Sequence, residues 1–184
     1  MRLAFPGRWF SLFLKNRLAP RQPGRAAEAQ DAESQFILGE HFRAGERPDE
    51  EQAAQWYLKA AAQGHGTAQF HLGLMYGQGR GVSRNETAAV LWLRKSAELG
   101  HAGAQYHLGV RLYRASRAGR QSEPSETRIE AFKWLQLAVT QAHHGAESAR
   151  EFAALGMTRQ EVDEGSRRAA AFAATGTTAS APAA

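Results

Sequence analysis

The sequence predicts an all-α fold, an α/α solenoid of about three repeats with a helix capping its C-terminal end. Three observations predict it. Gln35-Phe36-Ile37-Leu38-Gly39 recurs as Gln69-Phe70-His71-Leu72-Gly73 and again as Gln105-Tyr106-His107-Leu108-Gly109, at steps of 34 and 36 residues. Trp56, Trp92 and Trp134 recur at steps of 36 and 42. Seven residues before each tryptophan stands a residue of helix-capping type: Asp49, Asn85 or Thr127. Self-similarity at this period is the mark of stacked helical repeats.

Residues 1–26 read as a basic, aromatic arm and linker. Trp9, Phe10, Leu12, Phe13 and Leu14 sit between basic flanks. The apolar run is short, broken by Ser11 and closed by Lys15 and Arg17, so it makes a poor signal peptide. It is also too short to span a bilayer. Two main readings stay open. The arm folds back over the exposed end of the first repeat, since solenoid ends need a cap. Alternatively, residues 1–18 lie on an anionic membrane as a basic amphipathic helix, with Phe5, Trp9, Phe10, Leu12, Phe13 and Lys15 in contact. An atypical export signal or simple disorder is also compatible. Pro20, Pro23 and Gly24 form the linker.

The repeat domain is expected over residues 27–174, with repeats at 27–64, 65–100 and 101–142. Each copy reads as two helices. In the middle copy the first carries Phe70, Leu72, Gly73, Leu74 and Tyr76 at helical spacing, and the second carries Ala88, Ala89, Leu91, Trp92, Leu93 and Ala97. Asp49, Asn85 and Thr127 are expected to cap the second helices. Gln52 and Glu130 stand three residues after Asp49 and Thr127, as capping boxes require. Gly64 and Gly100 are expected to stop the second helices. The three tryptophans are expected in the core. The glycine repeated inside each first helix costs about 1 kcal/mol relative to alanine. It is expected to offset that by facing the small residue four after each tryptophan, Ala60, Ser96 or Ala138. The polar connector from Ala115 to Glu126 reads as mobile.

After Gly145 the pattern degrades, as a terminal cap would. Residues 143–174 are assigned to that cap. Its helix opens at Thr158 with Glu161 as a capping box and runs through Val162, Ala169 and Phe172. The tail 175–184 has little to bury and reads as disordered.

The stretches AQFHLGLMYGQGRGV and AAVLWLRKSAELGHAGAQYHLG resemble the Sel-1-like repeat, a relative of the tetratricopeptide repeat. The resemblance covers Glu33 to Phe172. It implies a right-handed α/α superhelix that displays a groove for protein partners. It further implies a scaffold or adaptor, of the kind found in signalling, protein quality control and bacterial assemblies. Two departures stand out. The third copy lacks the glycine-rich turn, and the first replaces it with Gly45-Glu46-Arg47-Pro48.

Composition narrows the classes. The chain has 184 residues, 43% of them apolar, and no cysteine. A disulfide scaffold and thiolate metal sites are therefore excluded. The pI near 10 belongs to the arm, because residues 1–25 hold six basic residues and no acid while the remainder is nearly neutral. The repeat body is thus not read as nucleic-acid-binding. With no convincing export signal, the cytoplasm is the expected compartment, membrane association being the alternative.

Few residues read as chemistry. Gly77, Gly79 and Gly81 follow a helix and lack the Lys-Ser or Lys-Thr of a phosphate loop, so they read as a tight turn. His65, His101 and His143 share one repeat position and read as local hydrogen-bonders. Copies 8–10 Å apart are too distant to share one ion, so no metal and no cofactor is expected. No catalytic triad or paired carboxylate stands out, so an enzyme is not expected. A hydrolase of the family's kind, using His71 or His107, is the third reading. The favoured site is a stripe on the first helices, their concave face. Positions two before and two after the repeated glycine are helix neighbours: Ile37 and His41, His71 and Met75, His107 and Arg111, extended by Gln78 and Arg114. That stripe grades from apolar to cationic and suits a protein or peptide segment with an acidic end.

Overall fold

The computed structural model describes residues 31–45, 47–119 and 123–178, with side chains through 175. The N-terminal arm, with the proposed membrane contacts Phe5, Trp9, Phe10, Leu12, Phe13 and Lys15, lies outside the described residues. Local capping chemistry sets most helix starts. α1 (Ala32–Ala44) opens after Asp31, which accepts the Ser34 N–H at 2.8 Å. α2 (Glu50–Ala62) opens after Asp49, which accepts the Gln52 N–H at 2.9 Å. α4 (Glu86–Glu98) opens after Asn85, which accepts the Ala88 N–H at 3.0 Å. Each bond satisfies one of the free amides of a helix start. The turns into α2 and α4 differ in length but close on equivalent residues: Asp49 donates its N–H to Phe42 O and Asn85 its N–H to Tyr76 O, at 2.8 and 2.9 Å.

The intervening first helices, α3 (Gly66–Gln78) and α5 (Ala102–Arg117), are capped by histidine. His65 Nδ1 accepts the Ala68 N–H at 3.1 Å, and His101 Nδ1 accepts the Ala104 N–H at 3.2 Å. Gly64 and Gly100, with φ of 87° and 85°, turn the chain between each second helix and its histidine. That is a left-handed conformation costly to a residue with a Cβ.

Expectation and structure part company in the last repeat. α6 (Pro124–Thr140) opens three residues before Thr127. Proline at the first helical position gives up only an amide that would be unpaired anyway. Thr127 therefore sits inside the first turn and donates its hydroxyl to Glu123 O at 3.2 Å. With α5 running to Arg117, the connector expected to be mobile from Ala115 to Glu126 is helical at both ends. The terminal cap is a helix pair instead of one helix: α7 (Ala146–Ala154) and α8 (Arg159–Thr178). The Thr158 box forms as expected, with the Thr158 N–H donating to Glu161 Oε2 at 2.7 Å and the Glu161 N–H to Thr158 Oγ1 at 3.3 Å. α8 continues through Thr178 past the expected start of the disordered tail, carried by the alanine-rich stretch 169–174.

All regular structure among the described residues is helical. α1 pairs with α2, α3 with α4 and α5 with α6, and each second helix packs on the next first helix. At the end the plan changes: α7 packs on α6 and barely touches α5, while α8 packs along α6.

Each repeated glycine does admit a close neighbour, but a large one. A Cβ at Gly39 would lie 2.6 Å from the Tyr57 ring, and at Gly73 and Gly109 it would lie 2.8 and 2.7 Å from Leu93 and Leu135. Those three residues directly follow the tryptophans. They, and not Ala60, Ser96 and Ala138, fill the notch. The small residues are also buried, and Ser96 Oγ donates to Gly66 O at 2.7 Å. The tryptophans are shifted outward by one position. Trp56 and Trp92 are half-buried, with Lys59 and Lys95 ammonium groups 3.9 and 4.5 Å above their rings. Only Trp134 is in the core, 1% exposed, because Phe172 of α8 meets it edge-on at 5.3 Å.

Candidate functional site

Successive first helices meet through rings. The aromatic after each repeated glutamine stacks on the histidine that precedes the next first helix: Phe36 on His65 at 4.6 Å, Phe70 on His101 at 4.4 Å, Tyr106 on His143 at 4.8 Å. His65 and His101 cap their helices, whereas α7 opens after Gly145 with no side-chain cap bond. The expectation that these histidines are local hydrogen-bonders agrees with the bonds found at His65 and His101. His65 also reaches Glu33 with Nε2, at 3.0 Å. The repeated glutamine bonds the preceding second helix: Gln69 Nε2 donates to Ala61 O and Gln105 Nε2 to Ala97 O, at 3.1 and 3.2 Å. The two junctions between repeats are thus each closed by a stacked ring and a glutamine, and the junction into α7 has the ring without the glutamine.

The expected stripe residues divide between core and surface. Ile37 and His41 are exposed on α1. Met75 is a core residue, 5% exposed, because α3 is packed between α2 and α4 whereas α1 is the first described helix. His71 is half-buried, 5.3 Å from the Tyr57 ring, with Nε2 3.8 Å from Glu40. Tyr57 donates its hydroxyl to Glu40, and Arg43 grips the same carboxylate at 2.9 and 2.5 Å. Hydrogen bonding from Arg43 holds Glu40 below the usual carboxylate range against the opposing effect of burial, and Tyr57 adds to it. Burial pushes His71 down. It does the same more strongly to His107, which is lowered to about 4 with help from the Arg111 charge. Both side chains are neutral imidazoles near pH 7. Arg111 is engaged by Glu86 at 2.5 Å and lies over Gly77, where a Cβ would push its guanidinium group aside. Gln78 and Arg114 are exposed. Gly79 and Gly81 form the tight turn expected of them, with φ of 72° and 63°.

Beyond Arg111 the first-helix side opens into a groove of about 860 Å³. α5 supplies Tyr106, Val110, Tyr113, Arg114 and Arg117; Leu135 of α6 also lines it; α7 supplies Ser148, Ala149 and Phe152. The trough continues past Phe152 to Leu155 and Gly156. Phe152 and Leu155 are 56% and 85% exposed. Of the stripe, only Arg114 lies here. The sequence reading missed Tyr113, Ala149 and Phe152 because it took the loss of the Leu-Gly signature after Gly145 as the mark of a terminal cap. The repeat register sets Ala146 beneath Ala68 and Ala104. It places Ala149 where His71 and His107 stand, and so replaces a ring by a methyl group.

Among the described residues no helix is long and apolar enough to cross a membrane.

Stacked helix pairs with a repeated glycine notch and ring-closed junctions define an α/α repeat solenoid, a class built to present surface. The Sel1 repeat profile matches residues 32–65, 66–101 and 102–143, and the chain belongs to the Sel1 repeat family. Among solved structures it is similar to a protective antigen of uropathogenic Escherichia coli strains displaying an SLR fold. The TM-score is 0.68 at 26% identity, over 97% of this chain and 41% of that one. It is also similar to a Sel1 repeat protein from Oxalobacter formigenes, with a TM-score of 0.57 at 28% identity over 70% of this chain and 93% of that one. A rat protein named DAP3-binding cell death enhancer 1 is 38% identical over 61 residues, which is 33% of this chain and 12% of that protein. The chain therefore matches only a small part of that relative's length. Sel1 repeat proteins generally mediate protein–protein interaction, and their fold is typically a non-catalytic scaffold.

Proposed function

We propose that this chain is a protein-binding adaptor, without catalytic activity of its own, and that a partner segment lies in the groove between α5 and α7. The observation that carries this reading is the pair of exposed apolar residues at the C-terminal end of α7, Phe152 within it and Leu155 just past it. Phe152 stands on the rim of a trough whose apolar and aromatic lining includes Tyr106, Val110, Tyr113 and Leu135. Apolar side chains gathered around a concavity, with few polar groups among them, are the usual composition of a binding site. The protein named for binding DAP3 supports a protein as the class of partner. Ile37, His41, Gln78 and Arg114 extend the same side of the array and give a longer partner further contacts; Arg111 and the buried Met75 serve packing.

The test is affinity capture from the native host with wild type, Phe152→Asp, and a variant carrying Ile37→Asp and His41→Ala on α1. A partner kept by the α1 variant and lost by Phe152→Asp supports the groove. Equal capture by all three removes it.

A further inference from the structure

The charges around this groove are of one sign. Among the described residues, Arg114 and Arg117 are the charged residues lining its main cavity, with Arg128 joining where the trough continues towards Leu155, and the first two stand three apart, on one face of the last turn of α5. Neighbouring arginines are engaged: Arg111 by Glu86 at 2.5 Å and Arg128 by Glu161 at 2.6 Å. Arg114 and Arg117 are exposed and have no ion pair among the described residues. The acids of α7, Glu147 and Glu151, do not line the groove. The dipole of α5 favours cations in its last turn. It does not account for two of them edging an apolar trough whose far wall is Phe152.

We infer that the groove takes a protein segment in which an apolar anchor is flanked by acidic residues. This rests on the reading of the groove as the binding site. The anchor packs against Tyr113 and Phe152, and the carboxylates meet the Arg114 and Arg117 guanidinium groups, which suit carboxylate geometry. Complementary charge makes such a segment a better occupant than a neutral or basic one. By the same measure the chain's own N-terminal arm is a poor occupant, since residues 1–25 carry six basic side chains and no acid.

A random peptide display library panned on the full chain, with counter-selection on Phe152→Asp, tests this without knowledge of the partner. Selected peptides are then titrated by fluorescence anisotropy into wild type and into the Arg114→Glu/Arg117→Glu double variant. The expected peptides carry Asp or Glu close to a Leu, Phe or Trp. They bind the double variant at least about tenfold more weakly and lose affinity as salt rises. Neutral or basic winners, or an affinity indifferent to the charge reversal, overturn the acidic segment and leave the groove standing. Winners that bind Phe152→Asp as well as wild type overturn both. A dimer that Phe152→Asp converts to monomer assigns the groove to a second copy and also overturns the inference. If Phe152→Asp fails to fold, Ala149→His, which fills the groove from α7, replaces it in the counter-selection.

Discussion

Between α3 and α5, Phe70 lies 5.8 Å from the His107 ring and Arg111 covers Gly77. Between α5 and α7 the same repeat positions read differently. Tyr106 shares its slot with Ala149, and Tyr113 stands where Gly77 stood. One slot is occupied by the array's own side chains and the other is an open groove. The backbone plan is nearly common to both. In α7, a helix of 9 residues where its counterparts have 13 and 16, Ala149 stands at the position of His107 and Ala153 at that of Arg111, so methyl groups replace both side chains that fill the first slot.

The largest expected contrast lies in the cores at the two ends. Trp134→Ala should cost about 3–5 kcal/mol, the range for deleting a buried large aromatic. Trp56→Ala, at the equivalent half-buried position, should cost only about 1 kcal/mol. Urea denaturation of both variants checks this, and equal losses would mean that Phe172 does not seal Trp134 as described. Next comes the α8 cap. Burial opposes ionisation of Glu161, but hydrogen bonds from Ser125, the Thr158 N–H and Arg128 outweigh it and hold the carboxyl at about 2. Glu161→Ala should therefore cost about 2–3 kcal/mol, because it removes a cap and leaves Arg128 unpaired. The stabilisation by Glu161 should be complete above pH 4.5 and disappear as pH falls towards 2.

The filled slot should show its own pH dependence. His107 binds a proton more readily in the unfolded chain, at 6.5, than in the fold, at about 4. Its contribution is therefore full above pH 6.5 and is lost as pH falls through that window, by about 1–2 kcal/mol at pH 5. Thermal melts at pH 7 and pH 5 should show a smaller difference for His107→Gln than for wild type. The smallest stability effect should come from Ala149→His, within about 0.5 kcal/mol of wild type. That variant should nevertheless abolish binding of any peptide selected on the groove, which sharpens the comparison most directly.

Much of this was legible in the sequence. Period, helix pairing, the caps at Asp49, Asn85 and Thr158 and the stops at Gly64 and Gly100 all follow from local chemistry, and local chemistry is written in neighbouring residues. The failures are tertiary. Nothing local distinguishes Trp134 from Trp56, since the difference is made by α8, far along the chain. Met75 reads as a surface residue beside His71 until α3 is seen between two helices. The groove escaped because its key residue is an alanine, informative only against the histidines at the same position in earlier copies. Arg114 was found, as a charge at the edge of a stripe, without the aromatic wall opposite that gives it a task.

The histidine caps carry one more consequence. Starting a helix is the unfavourable step in making one. In α3 and α5 that step relies on a ring held in place by an aromatic from the repeat before. A repeat that has folded therefore helps its successor's first helix to start, and the successor returns the coupling through Gln69 and Gln105, which bond the last turns of α2 and α4. Order in this array should spread from one repeat to the next on either side, and a chain lacking Phe36 should be weakened first at the start of α3.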